Sequence, residues 1–233
     1  MMTKSTSSRV LGITLARGGS VAVPKKNIRM VAGRPLIEWT IQEVNKCKLI
    51  DRYVVSTDSE EIADIVQDLG VEVINRPDFL AMDNTPAIDA LIHTLDTVEH
   101  IYGEEYSIVA DIRTTNPLKL ASNIDGAIQK LFSSGADVVC GVSRLDDHHP
   151  ARIKTIVGDR LIDVWPEHSG NRQDLTPDVF IRNGSIYAVR TTALREGIHF
   201  TGGDIRPWLM PQERGVNIDS ELDLLICETL LSS

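Results

Sequence analysis

The chain has 233 residues, 42% of them hydrophobic and 24% charged, a globular balance with length enough for one domain and a substantial core, which excludes disordered and fibrous classes. Its formal net charge of -9 argues against general binding to nucleic acid or an anionic membrane, both of which require an extended basic surface. Cys47, Cys140 and Cys227 fall in no zinc or redox spacing, and residues 1–8 are polar with no apolar region ahead of a cleavage site, so the expectation is a cytoplasmic protein with free thiols.

Residues 10–16, Val-Leu-Gly-Ile-Thr-Leu-Ala, are mostly apolar and rich in branched side chains, which suits a buried strand of a parallel sheet. Arg17-Gly18-Gly19-Ser20 follows at its carboxyl end. Glycines there can take backbone angles other residues resist and let main-chain N–H groups approach a ligand, as phosphate-cradling loops require. From Arg17 to Arg34 the chain carries Arg17, Lys25, Lys26, Arg29 and Arg34 and no acidic residue. This local reversal of charge points to an anion site; a glycine turn with solvated lysines is the plainer alternative. The loop has neither G-x-G-x-x-G nor G-x-x-x-x-G-K-[ST], so the common dinucleotide and P-loop motifs are set aside.

Gly33-Arg34-Pro35 then turns into a helix over residues 36–47 with its apolar face at Leu36, Ile37, Ile41 and Val44. Residues 53–57 read as a strand, and Asp58 with Glu61 as N-cap and reciprocal partner of a helix that Gly70 ends. Residues 71–74 form another short strand, which leaves Arg76 at a strand end, either facing the same anion as Arg17 or held in a surface ion pair. A loop at 80–86 leads to a helix over 87–100 and a strand over 107–112. Asp111 inside that strand is a metal ligand or an arginine's partner, because a buried carboxylate must be compensated. A helical face spans 124–131, Gly135 stops it, and a strand follows at 137–142. This alternation specifies an α/β fold with right-handed crossovers and a largely parallel sheet.

After Ser143 the rhythm changes. Residues 144–183 read as an inserted β-rich excursion with short strands at 153–157 and 161–164. His148 and His149 point to opposite sides of an extended chain, so a solvated loop suits them better than a metal site. Strand character returns at 184–190, and residues 216–218 read as the last strand before a helix over 220–231. Asn217 and Asp219 share one side if the strand runs on, a pair able to hold a hard cation beside phosphates. Asp219 is also well placed as the N-cap of the final helix, and the two roles are compatible.

Taken in order, Ala16-Arg17-Gly18-Gly19-Ser20, Pro24-x-Lys26-Asn27, Gly33-Arg34-Pro35-Leu36-Ile37, Val54-Val55-Ser56-Thr57-Asp58, Arg76-Pro77, Thr115-Asn116-Pro117-Leu118, Arg172-Gln173-Asp174-Leu175, Asn183-Gly184-Ser185-Ile186-Tyr187 and Ile218-Asp219-Ser220-Glu221-Leu222-Asp223 resemble the acylneuraminate cytidylyltransferases. The resemblance runs over nearly the whole chain. It implies a single domain over residues 1–233 with a three-layer nucleotidyltransferase fold, in which 144–183 contributes to a homodimer and to the partner's sugar site. It also implies transfer of a cytidylyl group from CTP to the anomeric hydroxyl of a nonulosonic acid of sialic, legionaminic or pseudaminic type, with Mg²⁺ and release of pyrophosphate. By the same resemblance Arg17 and Lys26 hold the triphosphate and stabilise the leaving group, while Leu15, Ala16, Gly18, Gly19, Ser20, Asn27, Arg76, Thr85 and Arg113 help seat CTP. Arg113, Arg172, Asn183 and Tyr187 look toward the sugar acid, and Asp219 with Asn217 holds the metal. The related Kdo-cytidylyltransferases keep an eight-carbon ulosonate open as acceptor, and a catalytically impaired CTP-binding protein is the alternative from another class.

Three departures from the family pattern bear on this. Val21 and Ala22 stand where the family usually has Lys-Gly, a missing cation for which Lys25 is a candidate replacement. Asn217-Ile218-Asp219 replaces Asp-Ile-Asp, which substitutes a neutral ligand for a charged one. Arg113-Thr114-Thr115-Asn116-Pro117 replaces Gln-Pro-Thr-Ser-Pro and brings a cation to the region of base and sugar.

Overall fold

Branched apolar runs and amphipathic helices alternate along the chain, and each run enters one sheet. In chain order these are β1 (Val10–Leu15), a small hairpin of β2 (Met30–Val31) and β3 (Arg34–Pro35), α1 (Leu36–Val44), β4 (Arg52–Thr57), α2 (Glu60–Asp68) and β5 (Glu72–Asn75). There follow α3 (Ala87–Tyr102), β6 (Ile108–Ile112), α4 (Ala121–Ser134) and β7 (Val138–Arg144). The last part comprises a hairpin of β8 (Lys154–Val157) and β9 (Arg160–Asp163), then β10 (Phe180–Arg190), α5 (Thr191–Arg195), β11 (Ile205–Met210) and α6 (Glu221–Leu231). The computed structural model describes residues 8–20, 23–145, 148–165, 171 and 174–232, so Arg172, Val21 and Ala22 lie outside the described residues.

Seven strands form the main sheet in the order β11-β7-β10-β6-β1-β4-β5. Every neighbouring pair is parallel except those of β10, which runs antiparallel to both β6 and β7. The two-residue period of each strand divides its side chains between two cores. Leu11, Ile13 and Val54 pack with Leu91 and Leu95 of α3 and Leu194 of α5. On the other face Ile108 and Ala110 meet Ile124 and Ile128 of α4, while Val55 meets Ile37 and Ile41 of α1 and Ile62 and Val66 of α2. The expected α/β class, with a mostly parallel sheet between two helical layers, is what the structure has.

Several elements differ from the sequence-based expectation. The helix over 36–47 ends at Val44. Residues 216–218 join no strand; Ile218 donates its N–H to the Thr115 carbonyl at 2.7 Å and packs against Val23, Leu36 and Leu224 instead. One sheet edge is β11, whose Arg206-Pro207 interrupts the apolar pattern and whose proline, lacking an N–H, is tolerated at an edge. Ser59, not Asp58, caps α2 by accepting from the Ile62 N–H, and Ser220, not Asp219, caps α6 in a reciprocal box with Asp223. His149 is buried rather than solvated, with ring nitrogens bonded to the Pro177 carbonyl at 3.0 Å and the Ala151 N–H at 3.2 Å. The three cysteines are unpaired, and burial pushes the Cys47 and Cys227 thiols up to about 12. No helix among the described residues is long and apolar enough to cross a membrane.

Candidate active site

The parallel strands β1, β4, β5 and β6 end on one side of the sheet, and a cavity of about 490 Å³ opens beyond their carboxyl ends, the usual ligand position in an open α/β sheet. Leu15, Arg17, Ser20, Lys26, Asn27, Arg76, Thr85 and Arg113 all border it. The loop after β1 is shaped by long-range bonds. Asn27 donates its amide to the Arg17 carbonyl at 2.9 Å and accepts from the buried Thr114 hydroxyl at 2.6 Å, which fastens the loop to the end of β6. Gly18 is required by close approach, since a Cβ there would lie 2.9 Å from the Ser59 Cβ. Neither Gly18 nor Gly19 is left-handed, and the Gly18 N–H is taken by Asp58 at 2.9 Å. At Gly18, then, the expected freedom of backbone angle gives way to a packing constraint, while Gly19 has open space around it. Ala16 is buried in the core beneath the loop.

Three cations reach the cavity from this side, Arg17 through an exposed ion pair and Lys26 and Arg76 through bonds to main-chain carbonyls. The Arg17 guanidinium lies 2.7 Å from Asp83, whose side chain is 70% exposed. Lys26 donates to the Ile218 carbonyl at 2.7 Å and stands 3.4 Å from Asp219. Arg76 is buried at 4% exposure and donates to the Ser56 carbonyl at 2.6 Å and the Ser56 hydroxyl at 3.2 Å, so it is no surface ion pair. Burial pushes its pKa down, with Asp58 opposing and Arg17 adding to that effect; an incoming anion reverses such a penalty. The other members of the basic run turn away. Lys25 pairs with Glu61, Arg29 with Glu221 and Arg34 with Glu38. Lys25 thus has a carboxylate of its own and does not border the cavity.

The opposite wall is built on β6 and β10. Asp111 sits opposite Tyr187 in the antiparallel register and is fully buried. Its Oδ2 accepts from Arg113 Nε at 3.2 Å and contacts His199 Nε2 at 3.1 Å. Burial opposes its charge, yet Arg113 and then His199 outweigh burial and hold the carboxyl below its usual range. Asp111 is thus the partner of an arginine, one of the two roles its position allowed. The Arg113 guanidinium lies over the Tyr187 ring, 4.8 Å from its centroid. Tyr187 is itself buried behind Arg113 and raised in pKa by that burial.

Below this wall Lys119 is 1% exposed. Its ammonium donates to the Arg113 and Asn116 carbonyls at 2.6 and 2.7 Å and to the Thr40 hydroxyl at 2.8 Å, which ties down the 113–116 turn. Burial pushes this lysine down to about 7. Asn183 lies outside the cavity. Its amide bonds Ser143 and Met210, and its oxygen accepts from the Ser185 N–H and hydroxyl, so the side chain supports the irregularity in β10.

Asn217 and Asp219 are brought together, the Asn217 amide donating to Asp219. Gly184, at φ +64°, leaves room for this pair, because a Cβ there would lie 2.5 Å from the Asn217 Oδ1. Among the described residues no group of three or more His, Cys, Asp or Glu side chains gathers as a metal site. The exposed Asp219 carboxylate is the charged oxygen ligand that a magnesium ion would take here, and the Asn217 amide, whose N–H now faces it, would add its oxygen only by turning. Sequence reasoning missed His199 and Asp83, whose partners lie far away in the chain, and Lys119, whose burial no local pattern shows.

Known proteins resemble this chain in sequence and in fold. A family model described as cytidylyltransferase matches residues 11–158. The chain is 29% identical over 227 residues to N-acylneuraminate cytidylyltransferase A of Danio rerio, covering 95% of this chain and 50% of that protein. It is also 29% identical over 229 residues to post-translational flagellin modification protein B of Campylobacter coli, covering 96% of this chain and 95% of that one. The chain spans about half the length of the N-acylneuraminate cytidylyltransferases it matches. A solved CMP:2-keto-3-deoxy-manno-octonic acid synthetase complexed with CTP superposes with TM-score 0.71 at 18% identity, covering 97% of this chain and 99% of that chain. A 4-diphosphocytidyl-2C-methyl-D-erythritol synthase from Anaerococcus prevotii superposes at 0.66 and 14%, covering 97% and 100%. These two likenesses establish the fold.

Proposed function

The chain belongs to the cytidylyltransferase family, and from that premise we propose that it transfers CMP from CTP to the anomeric hydroxyl of a nonulosonic acid, in the cytoplasm. The observation that carries this reading is the convergence of Arg17, Lys26 and Arg76 on one cavity at the strand ends. The anomeric oxygen of the sugar attacks the α-phosphorus of CTP and loses its proton, a new P–O bond forms, and the α–β anhydride bond breaks to release pyrophosphate. Such chemistry needs mainly positioning and charge stabilisation at the phosphates. Arg17 and Lys26 hold the triphosphate and stabilise the leaving pyrophosphate, with Arg76 beneath them. Leu15, Ser20, Asn27 and Thr85 shape the nucleotide side, and Arg113, Tyr187 and Arg172 serve the sugar side. Asp219 and the Asn217 oxygen would hold Mg²⁺, which supplies further charge neutralisation at the phosphates.

A homodimer built through the excursion is part of the proposal. Ile156, Leu161, Val164 and Trp165 on and after the β8–β9 hairpin, with Phe180 and Ile181 at the start of β10, are all at least half exposed, more apolar surface than a hairpin ordinarily leaves to water. Leu161→Asp should shift the sedimentation of the protein from dimer to monomer.

The activity is tested by pyrophosphate release from CTP and Mg²⁺ across a panel of nine-carbon and eight-carbon ulosonic acids. Release with a nine-carbon acid supports the reading, and preference for an eight-carbon acid moves the substrate to the shorter class. CTP binding without release for any acid would leave a nucleotide-binding protein.

A further inference from the structure

The ends of β6 and β10 carry a group of side chains that handling the triphosphate does not use. A carboxylate buried inside a strand is costly unless it is compensated, yet Asp111 lies in the same sheet layer as Ile13 and Tyr187. Both of its partners touch the same oxygen, Oδ2, at 3.1 and 3.2 Å. One partner, His199, is 4% exposed and packs against Tyr187 and Phe200 at ring separations of 5.2 and 5.0 Å. The other, Arg113, is thereby fixed twice, with Nε tied to Asp111 and the guanidinium plane set by the Tyr187 ring. Its side chain is 31% exposed and borders the cavity. Among the described residues neither terminal nitrogen of Arg113 has a hydrogen-bond partner.

The charge of this wall differs from that of the other. Arg17 and Lys26 face exposed carboxylates that an incoming ligand can displace, and with Arg76 they suit a polyanion, whereas Arg113 is balanced by the fully buried Asp111 and presents one oriented fork. A planar fork of that kind matches a single carboxylate, whose two oxygens it takes at once. We propose that Arg113 is the receptor for the carboxylate of the sugar acid, with Asp111 and His199 as the positioning residues that set its fork. The proposal rests on the reading of the chain as a nonulosonic acid cytidylyltransferase, and it competes with Arg172, which the family resemblance offers for the same group.

The test is steady-state kinetics of the full chain with CTP and Mg²⁺, comparing the preferred sugar acid with its C1 carboxamide. Arg113→Lys keeps the charge and loses the fork. It should raise KM for the acid by about 10- to 100-fold, the range for a lost charge-assisted pair, and abolish the preference for acid over amide, with KM for CTP unchanged. Asp111→Asn should move the same two quantities by less. The double variant should be no worse than Arg113→Lys alone, because Asp111 acts through Arg113. His199→Gln, which retains an N–H donor, should preserve more of the preference than His199→Ala. Preference that survives Arg113→Lys and disappears in Arg172→Lys would overturn the assignment while leaving the activity intact, as would an effect of Arg113→Lys on CTP alone. Failure of the unaltered protein to turn over any sugar acid would instead remove the functional reading and this inference with it. Should Asp111→Asn not fold, Arg113→Lys at its partly exposed position decides the matter alone.

Discussion

The two walls of the cavity hold their cations in opposite ways. On the phosphate wall Arg17 leans on an exposed aspartate, Lys26 on a main-chain carbonyl and Arg76 on Ser56. Across the cavity Arg113 is bound to a carboxylate that no solvent reaches. The exposed Arg17–Asp83 pair can be exchanged for a ligand at small cost, whereas a pair whose carboxylate is fully buried resists rearrangement. On the proposed function, the first wall receives a flexible polyanion that must arrive, react and leave in pieces, and the second a rigid substrate that must be presented in one orientation.

Arg17→Ala should be the most damaging change on the phosphate wall, lowering kcat/KM by about 100- to 1,000-fold as loss of one preorganised charge-stabilising donor does. An accompanying rise in KM for the sugar acid would break the separation of the walls.

Lys119 sharpens the comparison through pH. Its folded value of about 7 lies below its ordinary value of 10.5, so the unfolded chain binds that proton more tightly. The cost of burying the charge is complete below pH 7 and is relieved as pH rises from 7 toward 10.5. The urea midpoint of the wild type should climb across that window, and that of Lys119→Met should lack this contribution. A neutral amine can still donate to both the Arg113 and Asn116 carbonyls while accepting from the Thr40 hydroxyl, so deprotonation should leave KM for the sugar acid unchanged. Lys119→Met, which orphans both carbonyls, should raise it.

Smaller effects are expected at the metal pair and at Asp83. Asn217→Asp adds a charged oxygen ligand beside Asp219 and should lower the Mg²⁺ concentration giving half-maximal rate; an unchanged magnesium titration would take Asn217 out of that site. Asp83→Asn frees Arg17 from its exposed partner and should lower KM for CTP by up to about fivefold, the worth of a surface ion pair.

Much of the framework was legible because β1, β4, β5 and β6 are short branched runs and α1 to α4 carry apolar faces at helical spacing. β11 was not, because Arg206-Pro207 conceals an edge strand. The helix starts show a second limit. At both Asp58-Ser59 and Asp219-Ser220 the aspartate reads as the cap, yet the serine takes that role and the aspartate reaches elsewhere, to the Gly18 N–H and to Lys26. Each residue can cap, worth about 1 kcal/mol, and only the distant partner decides between them. The strand-end positions of Arg17 and Arg76 likewise placed them, whereas the basic run misled as to Lys25, Arg29 and Arg34, whose carboxylates lie on other elements. His199 acts through a contact 88 residues away along the chain, which no local pattern encodes, whereas Lys119 bonds carbonyls only 3 and 6 residues back and it is the burial of its ammonium that the sequence conceals.

On the proposed function, the Arg17–Asp83 contact makes nucleotide binding an exchange of anions rather than a simple capture. Added salt weakens the internal pair as well as the pair formed with the triphosphate, and the two losses partly cancel. The affinity for CTP should therefore fall less steeply with ionic strength than three cations on a polyanion would suggest, and Asp83→Asn should restore the steeper dependence.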